Sequence, residues 1–145
     1  MRVLGVDPGI YNMGIGVVDS VGAELSPAHF SVLTPRRADP IYQRLHYLYA
    51  QISRIIEEWG PSEVAIEEPF AARNVRAAMA IGHAQAVAMV AAAGHKLPVS
   101  SYAPRQVKLA VTEMPGSGGP EELRDWAGIS AAKIVERVKR LPVLG

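Results

Sequence analysis

Arg2-Val3-Leu4-Gly5-Val6-Asp7-Pro8-Gly9, continued by Gly14-Ile15-Gly16-Val17-Val18-Asp19, is the stretch on which the fold turns. Val3, Leu4 and Val6 favour a strand, Asp-Pro-Gly closes it in a tight turn, and Ile15, Val17 and Val18 resume a second strand. Gly14 and Gly16 leave room there for a close backbone or a ligand. Asp7 is thus held at the end of what should be a central strand, where a charge is costly unless paired or bound to a cation. Two readings fit: a carboxylate that bonds its own turn backbone, or one that belongs to an active site. This stretch by itself leaves both open.

Working outward, Ala28 to Leu33 forms a third strand closed by Thr34-Pro35, and Arg36, Arg37, Ala38 and Asp39 make a polar link. Pro40 opens a helix with Ile41, Leu45, Leu48, Ile52, Ile55 and Ile56 at helical spacing and Trp59 near its end. Gln43, Arg44, Gln51 and Arg54 fall among its wetter positions, and Gly60-Pro61 stops it. Glu63 to Glu67 is a short strand, left by Glu68-Pro69-Phe70. Arg73 to Ala93 is a long Ala-rich helix ended by Gly94, and Leu97 to Tyr102 is a fifth strand. Pro104 begins a helix over Arg105 to Val111. A flexible connection over 113–128, with one helical turn at Glu121–Trp126, leads to a last helix, Ala131 to Leu141, capped by Ser130.

The order β-β-β-α-β-α-β-α with a final helix predicts a single α/β domain over 1–145. Its sheet is mixed and five-stranded, three antiparallel strands and then two parallel ones, flanked by helices. In that arrangement the first strand lies centrally, next to the fourth. Asp7 and Glu67 then become neighbours at adjacent strand ends.

Composition narrows the class. A chain of 145 residues, 49% hydrophobic and 20% charged, describes a soluble globular domain with one core. Without cysteine there is neither a disulfide nor a thiolate zinc site. No basic-then-apolar leader opens the chain, and Ala77 to Ala93 is broken by Gly82, His83 and Gln85 and short for a membrane span. A cytoplasmic protein without a membrane partner is expected. The net charge of +1 hides an asymmetry: residues 1–70 hold five Lys/Arg against nine Asp/Glu, whereas residues 71–110 hold five Lys/Arg and no acid. An acidic half beside an acid-free basic block suggests cations on one side and phosphates on the other.

Two carboxylates at adjacent strand ends repel unless a cation sits between them. Mg²⁺ suits such a place, because it binds through a few carboxylates and substrate phosphate oxygens while keeping water. A pair of ions ~3.5–4 Å apart activates water and steadies the leaving oxygen of a phosphodiester. Glu68 adjoins Glu67, but strand alternation turns it to the other face unless Pro69 bends the chain there. Phe70, Arg73, Asn74 and Arg76 gather where the Ala-rich helix begins. The arginines there reinforce a helix start that already favours phosphate. Phe70 reads equally as an aromatic that stacks on an unpaired base or as a core residue. Arg105, Gln106 and Lys108 open the next helix and read as contacts to DNA phosphates or as solubilising charges.

These residues carry a resemblance. Val6-Asp7-Pro8-Gly9 with Gly14-Ile15-Gly16-Val17-Val18, Ala65-Ile66-Glu67 with Phe70, Asn74, Gly82 and Ala84, and Leu97-Pro98-Val99 with Tyr102-Ala103-Pro104-Arg105-Gln106-Val107-Lys108 together resemble RuvC-type Holliday-junction resolvases. The likeness spans residues 1–112 in order and resumes around Gly128 to Pro142. It implies a ribonuclease H-like fold and a homodimer that nicks four-way DNA junctions symmetrically, in recombination and repair, with Mg²⁺ in a two-metal site that Mn²⁺ can share. By position, Asp7 and Glu67 resemble the first two catalytic, metal-binding carboxylates, and Phe70 the aromatic that engages the junction. Arg73 and Asn74 fall in the family's DNA-contacting loop, with Arg76 just beyond it. Arg105 and Lys108 resemble residues that grip DNA near the cut, and Lys133 a further basic residue near the active site. The Ala77–Ala93 helix resembles the one that pairs in the dimer, and a branch-migration helicase complex is an implied partner.

The chain departs from that pattern in two places. Met114 to Ala127 is longer than the family's glycine-rich link. The family's two further acids follow the stretch resembling Arg137 to Pro142, whereas Glu121, Glu122, Asp125 and Glu136 lie outside that motif and the chain stops at Gly145. The chain therefore reads as C-terminally short relative to the family, with two assigned carboxylates. This keeps a second reading alive, a junction-binding or scaffolding protein that does not cut. A third, an actin-like ATP-binding protein, rests on Asp7-Pro8-Gly9…Gly14-Ile15-Gly16…Asp19, which resembles that superfamily's first phosphate loop. It lacks a second Gly-rich loop, and 145 residues cannot supply two lobes.

Overall fold

The computed structural model describes residues 1–21, 24–68 and 74–102. These form β1 (Arg2–Asp7), β2 (Met13–Val21), β3 (Glu24–Leu33), α1 (Ile41–Trp59), β4 (Glu63–Glu67), α2 (Val75–Gly94) and β5 (Val99–Tyr102). The helices expected over 105–111 and 131–141, and the connection between them, lie outside the described residues.

The strands make one sheet in the order β3-β2-β1-β4-β5. β1 is central, antiparallel to β2 and parallel to β4, and β4 is parallel to β5. The predicted topology is the observed one. It follows from chain order: two tight hairpins make the antiparallel half, and two helical crossovers make the parallel half.

Leu4, Val6, Ile15, Val17, Val64 and Ile66 turn to one face and pack with Leu48, Ile52, Ile55 and Ile56 of α1 and with Ala84, Ala88, Ala91 and Ala92 of α2. Length and composition alone would let α2 cross a bilayer. Here its alanines let it lie close against α1 and the sheet. Ile41, which the periodicity assigned to the apolar stripe, is 42% exposed, and the buried positions of α1 begin at Leu48.

Several boundaries differ from expectation. β3 begins at Glu24 rather than Ala28, since its ladder with β2 runs back to Val21↔Glu24. Pro27 is tolerated there because β3 is an edge strand and the register shifts between Val17 and Val18. α2 begins at Val75, not Arg73. Asn74 is its N-cap, with Oδ1 accepting the Arg76 N–H at 2.9 Å. β5 starts at Val99 rather than Leu97, whose N–H is still tied to the Ala92 carbonyl at the end of α2. α1 ends as predicted, on left-handed Gly60 (φ 56°), whose N–H donates to the Ile56 carbonyl.

At the far edge of the sheet, Arg2 Nε and Nη2 grip the Asp19 carboxylate at 2.7 and 2.8 Å, while Nη1 donates to the Trp59 carbonyl at 2.7 Å. His29 stacks on the Trp59 ring at 5.0 Å. Asp19 is thus engaged by Arg2 at the opposite end of the strands from Asp7.

Candidate active site

The β1–β4 register, Val6↔Ile66, sets Asp7 and Glu67 on the next rung of the same ladder. Val6 and Ile66 point to the helices, so the two carboxylates turn to the opposite face. Gly5 and Gly16 pair on that face, Gly14 lies opposite Asp7, and Ala65 lies opposite Gly5. A lane with no side chain larger than methyl therefore leads up to the carboxylates. Tyr102 stands across from Glu67 on β5 and is almost fully buried.

The two carboxyls lie within hydrogen-bonding reach of one another. Asp7 is solvent-accessible, yet the protein around it displaces enough water to raise its pKa, with the hydrogen bond from Glu67 pulling the other way. Glu67 is half-buried and is pushed up to about 7, first by desolvation, then by the Asp7 charge and their hydrogen bond. Near neutral pH this pair shares a proton or takes up a cation.

The donor set suits Mg²⁺, which needs only one or two carboxylates when phosphate oxygens and water complete its shell. Among the described residues no group of three or more His, Asp or Glu side chains gathers. Glu68 lies one residue past β4, exposed, with its N–H on the Tyr102 carbonyl at 2.7 Å. Asn74 and Arg76 are exposed at the start of α2. Phe70, Arg73, Arg105, Lys108 and Lys133 lie outside the described residues.

The turn after Asp7 tolerates no side chain at Gly9, where a Cβ would collide with the Asn12 carbonyl oxygen. Gly9→Ala is expected to cost on the order of 1–3 kcal/mol, read by urea unfolding. A midpoint like that of the parent would show that the turn re-forms freely.

Sequence reading missed a second feature at this edge. The Arg37 and Arg44 guanidinium carbons lie 5.3 and 4.8 Å from the centroid of the Tyr11 ring. The one available signal was the Arg36-Arg37 pair, set in a link that leaves β3 at the Asp7 end of the sheet.

A five-stranded mixed sheet with facing carboxylates on its two central parallel strands defines a ribonuclease H-like protein with a candidate cation-binding nuclease site. The particular family follows from comparison: the chain belongs to the RuvC crossover junction endodeoxyribonuclease family, whose model matches residues 3–121. The crossover junction endodeoxyribonuclease RuvC of one Dehalococcoides mccartyi strain is 45% identical over 125 residues, covering 86% of this chain and 74% of that protein. The one from Maricaulis maris is 42% identical over 122 residues, 84% of this chain and 72% of that protein. Among solved structures, T. thermophilus RuvC in complex with Holliday junction substrate superposes with a TM-score of 0.79 at 27% identity, covering 97% of this chain and 96% of that one. The yeast mitochondrial Holliday junction resolvase Ydc2, at 13% identity and TM-score 0.58, covers 94% of this chain and 80% of its own and shares the fold.

Proposed function

We propose that this chain is a structure-selective endonuclease that resolves four-way DNA junctions by Mg²⁺-dependent phosphodiester hydrolysis, with Asp7 and Glu67 as its catalytic, metal-holding pair. The observation that carries this reading is that Asp7 and Glu67 each follow directly on the Val6↔Ile66 pair that joins β1 to β4, and so come together at the strand ends. Bound Mg²⁺, or Mn²⁺ in its place, would supply water activation and charge stabilisation at the leaving oxygen. Asp7 and Glu67 hold their charges toward one point, and their mutual repulsion favours any divalent cation placed there. Gly14, opposite Asp7 on β2, puts no side chain between the carboxylates and a sugar-phosphate backbone.

The other residues are assigned by their position in the chain. Phe70, Arg73, Asn74 and Arg76 meet DNA at the entrance to α2, with Asn74 also fixing the first turn of that helix through its cap. Arg105, Lys108 and Lys133 grip the backbone near the cut. α2 supplies the homodimer contact over 77–93. Val75, Met79, Ala86 and Val90 recur at helical spacing along its exposed side, and a two-fold pairing there presents two sites to a symmetric junction. The dimer works in the cytoplasm, alongside a branch-migration helicase complex. The relatives named above lend no support to an ATP-binding role.

A mobile four-way junction incubated with the chain and Mg²⁺ should acquire paired, symmetric nicks. Tight binding without nicks would favour the scaffold, and ATP turnover without junction affinity would sink both. Arg105→Ala should weaken junction binding and lower its salt dependence by about one phosphate. An unchanged affinity would remove that helix from the DNA face.

A further inference from the structure

We propose that Tyr11, Arg37 and Arg44 form a second DNA-backbone site, a phosphate clamp that holds one strand a few nucleotides from the bond facing Asp7. The inference rests on the junction-nuclease reading above and adds a contact supplied by the segments that follow β1 and β3.

Three parts of the chain converge here. Tyr11 belongs to the turn that follows β1, Arg37 to the link that follows β3, and Arg44 to the first turn of α1. All three lie at the edge of the sheet where Asp7 ends its strand. The Tyr11 ring, 45% exposed, carries the Arg37 and Arg44 guanidiniums at 5.3 and 4.8 Å from its centroid. Arg44 is further fixed by its Nε, which donates to the Asp39 carbonyl at 3.0 Å, while its Nη1 is buried and has no partner.

Two cations on one ring repel each other, so the arrangement calls for an anion. Among the described residues none is supplied, because the ion pair found there is Arg2–Asp19 at the other end of the sheet. Asp39 offers Arg44 its backbone carbonyl. The exposed Arg37 guanidinium lies over the ring and keeps its N–H edge for a second partner, an edge that matches two phosphate oxygens, while Arg44, held on the Asp39 carbonyl, adds its charge behind the ring.

The spacing suits one continuous strand. Tyr11 lies four positions after Asp7, so their Cα atoms lie within roughly 14 Å, about four nucleotide rises of ~3.4 Å along a duplex axis. A backbone whose reacting phosphate sits at the carboxylates is thereby brought near the turn whose Tyr11 ring carries Arg37 and Arg44. A free anion or an acidic peptide meets the same guanidiniums but has no reason to keep register with Asp7.

The test measures binding of the 145-residue chain to a synthetic four-way junction without Mg²⁺, over a range of salt. Arg37→Ala should weaken binding on the order of tenfold and lower the salt slope by about one, and Arg37→Ala/Arg44→Ala should lower it by about two. Arg37 is exposed, so its variant should keep the parental melting temperature, which guards against misfolding as the cause. Tyr11→Leu, which leaves every charge in place, should also weaken binding, whereas Tyr11→Phe should bind like the parent. Methylphosphonates placed singly up to about four nucleotides from the nick should reduce parental affinity and leave the Arg37→Ala variant unaffected. An unchanged slope in both arginine variants, or methylphosphonate costs equal in parent and variant, would overturn the clamp alone. Failure of the parent chain to bind the junction would overturn the nuclease reading and this one with it.

Discussion

Asp7→Asn is expected to abolish junction cutting, at least about a thousandfold in rate, while leaving junction binding within a few-fold of the parent. The size follows from what the carboxylate holds. A metal positioned at a phosphodiester contributes several kcal/mol to stabilising transition-state charge, and each 1.36 kcal/mol is about tenfold in rate. Asn keeps the size of Asp but removes the charge that attracts a divalent ion. The turn should survive, because its tightness depends on Gly9 and the Asn12 carbonyl and not on the Asp7 charge. Quantified nicks on a mobile junction, beside a binding isotherm on the same substrate, separate the two effects. Cutting within tenfold of the parent would show that Asp7 holds no essential ion. Loss of binding in step with cutting would reassign it to the shape of the turn.

Glu67→Gln should stabilise the metal-free chain while removing its response to divalent ions. In the fold the Glu67 carboxyl is raised from 4.5 to about 7 by desolvation and by Asp7. A raised pKa contributes stability that is fully present below the unfolded value and is lost as pH rises through the folded one. The metal-free parent should therefore lose stability between about pH 4.5 and pH 7–8, by on the order of 2 kcal/mol once solvent screening of a half-buried group is allowed for. Glu67→Gln should flatten that fall and melt about 5 °C higher at pH 8. Added Mg²⁺ should raise the melting temperature of the parent and leave that of the variant in place, because ligand binding stabilises only a fold that keeps its site. A parent whose melting temperature is flat between pH 5 and 8, or a variant that still gains stability from Mg²⁺, would count against a coupled carboxylate pair.

The two predictions depend on geometry that local sequence carried most of the way. Strand-forming residues before and after Asp-Pro-Gly gave β1 and β2 their places, and Leu48, Ile52, Ile55 and Ile56 marked the buried side of α1. The right-handed preference of parallel crossovers then put β4 beside β1, and Asp7 beside Glu67. Periodicity said much less about α2. Where nearly every position is alanine or another small apolar residue, no face stands out, and the burial of Ala84, Ala88, Ala91 and Ala92 was decided by contact with α1 and the sheet.

What the sequence by itself determined was therefore the order of the elements, the central place of β1 and the meeting of two acids at neighbouring strand ends. Each follows from local propensity or from chain handedness, which act along the backbone. Tertiary structure alone decided that Asp19 is engaged by Arg2, that β3 extends back to Glu24, and that Arg37 and Arg44 share the ring of Tyr11. An ion pair, a ladder bond and a cation over a ring all need groups from separate segments to come within a few ångströms, and no local pattern encodes that approach.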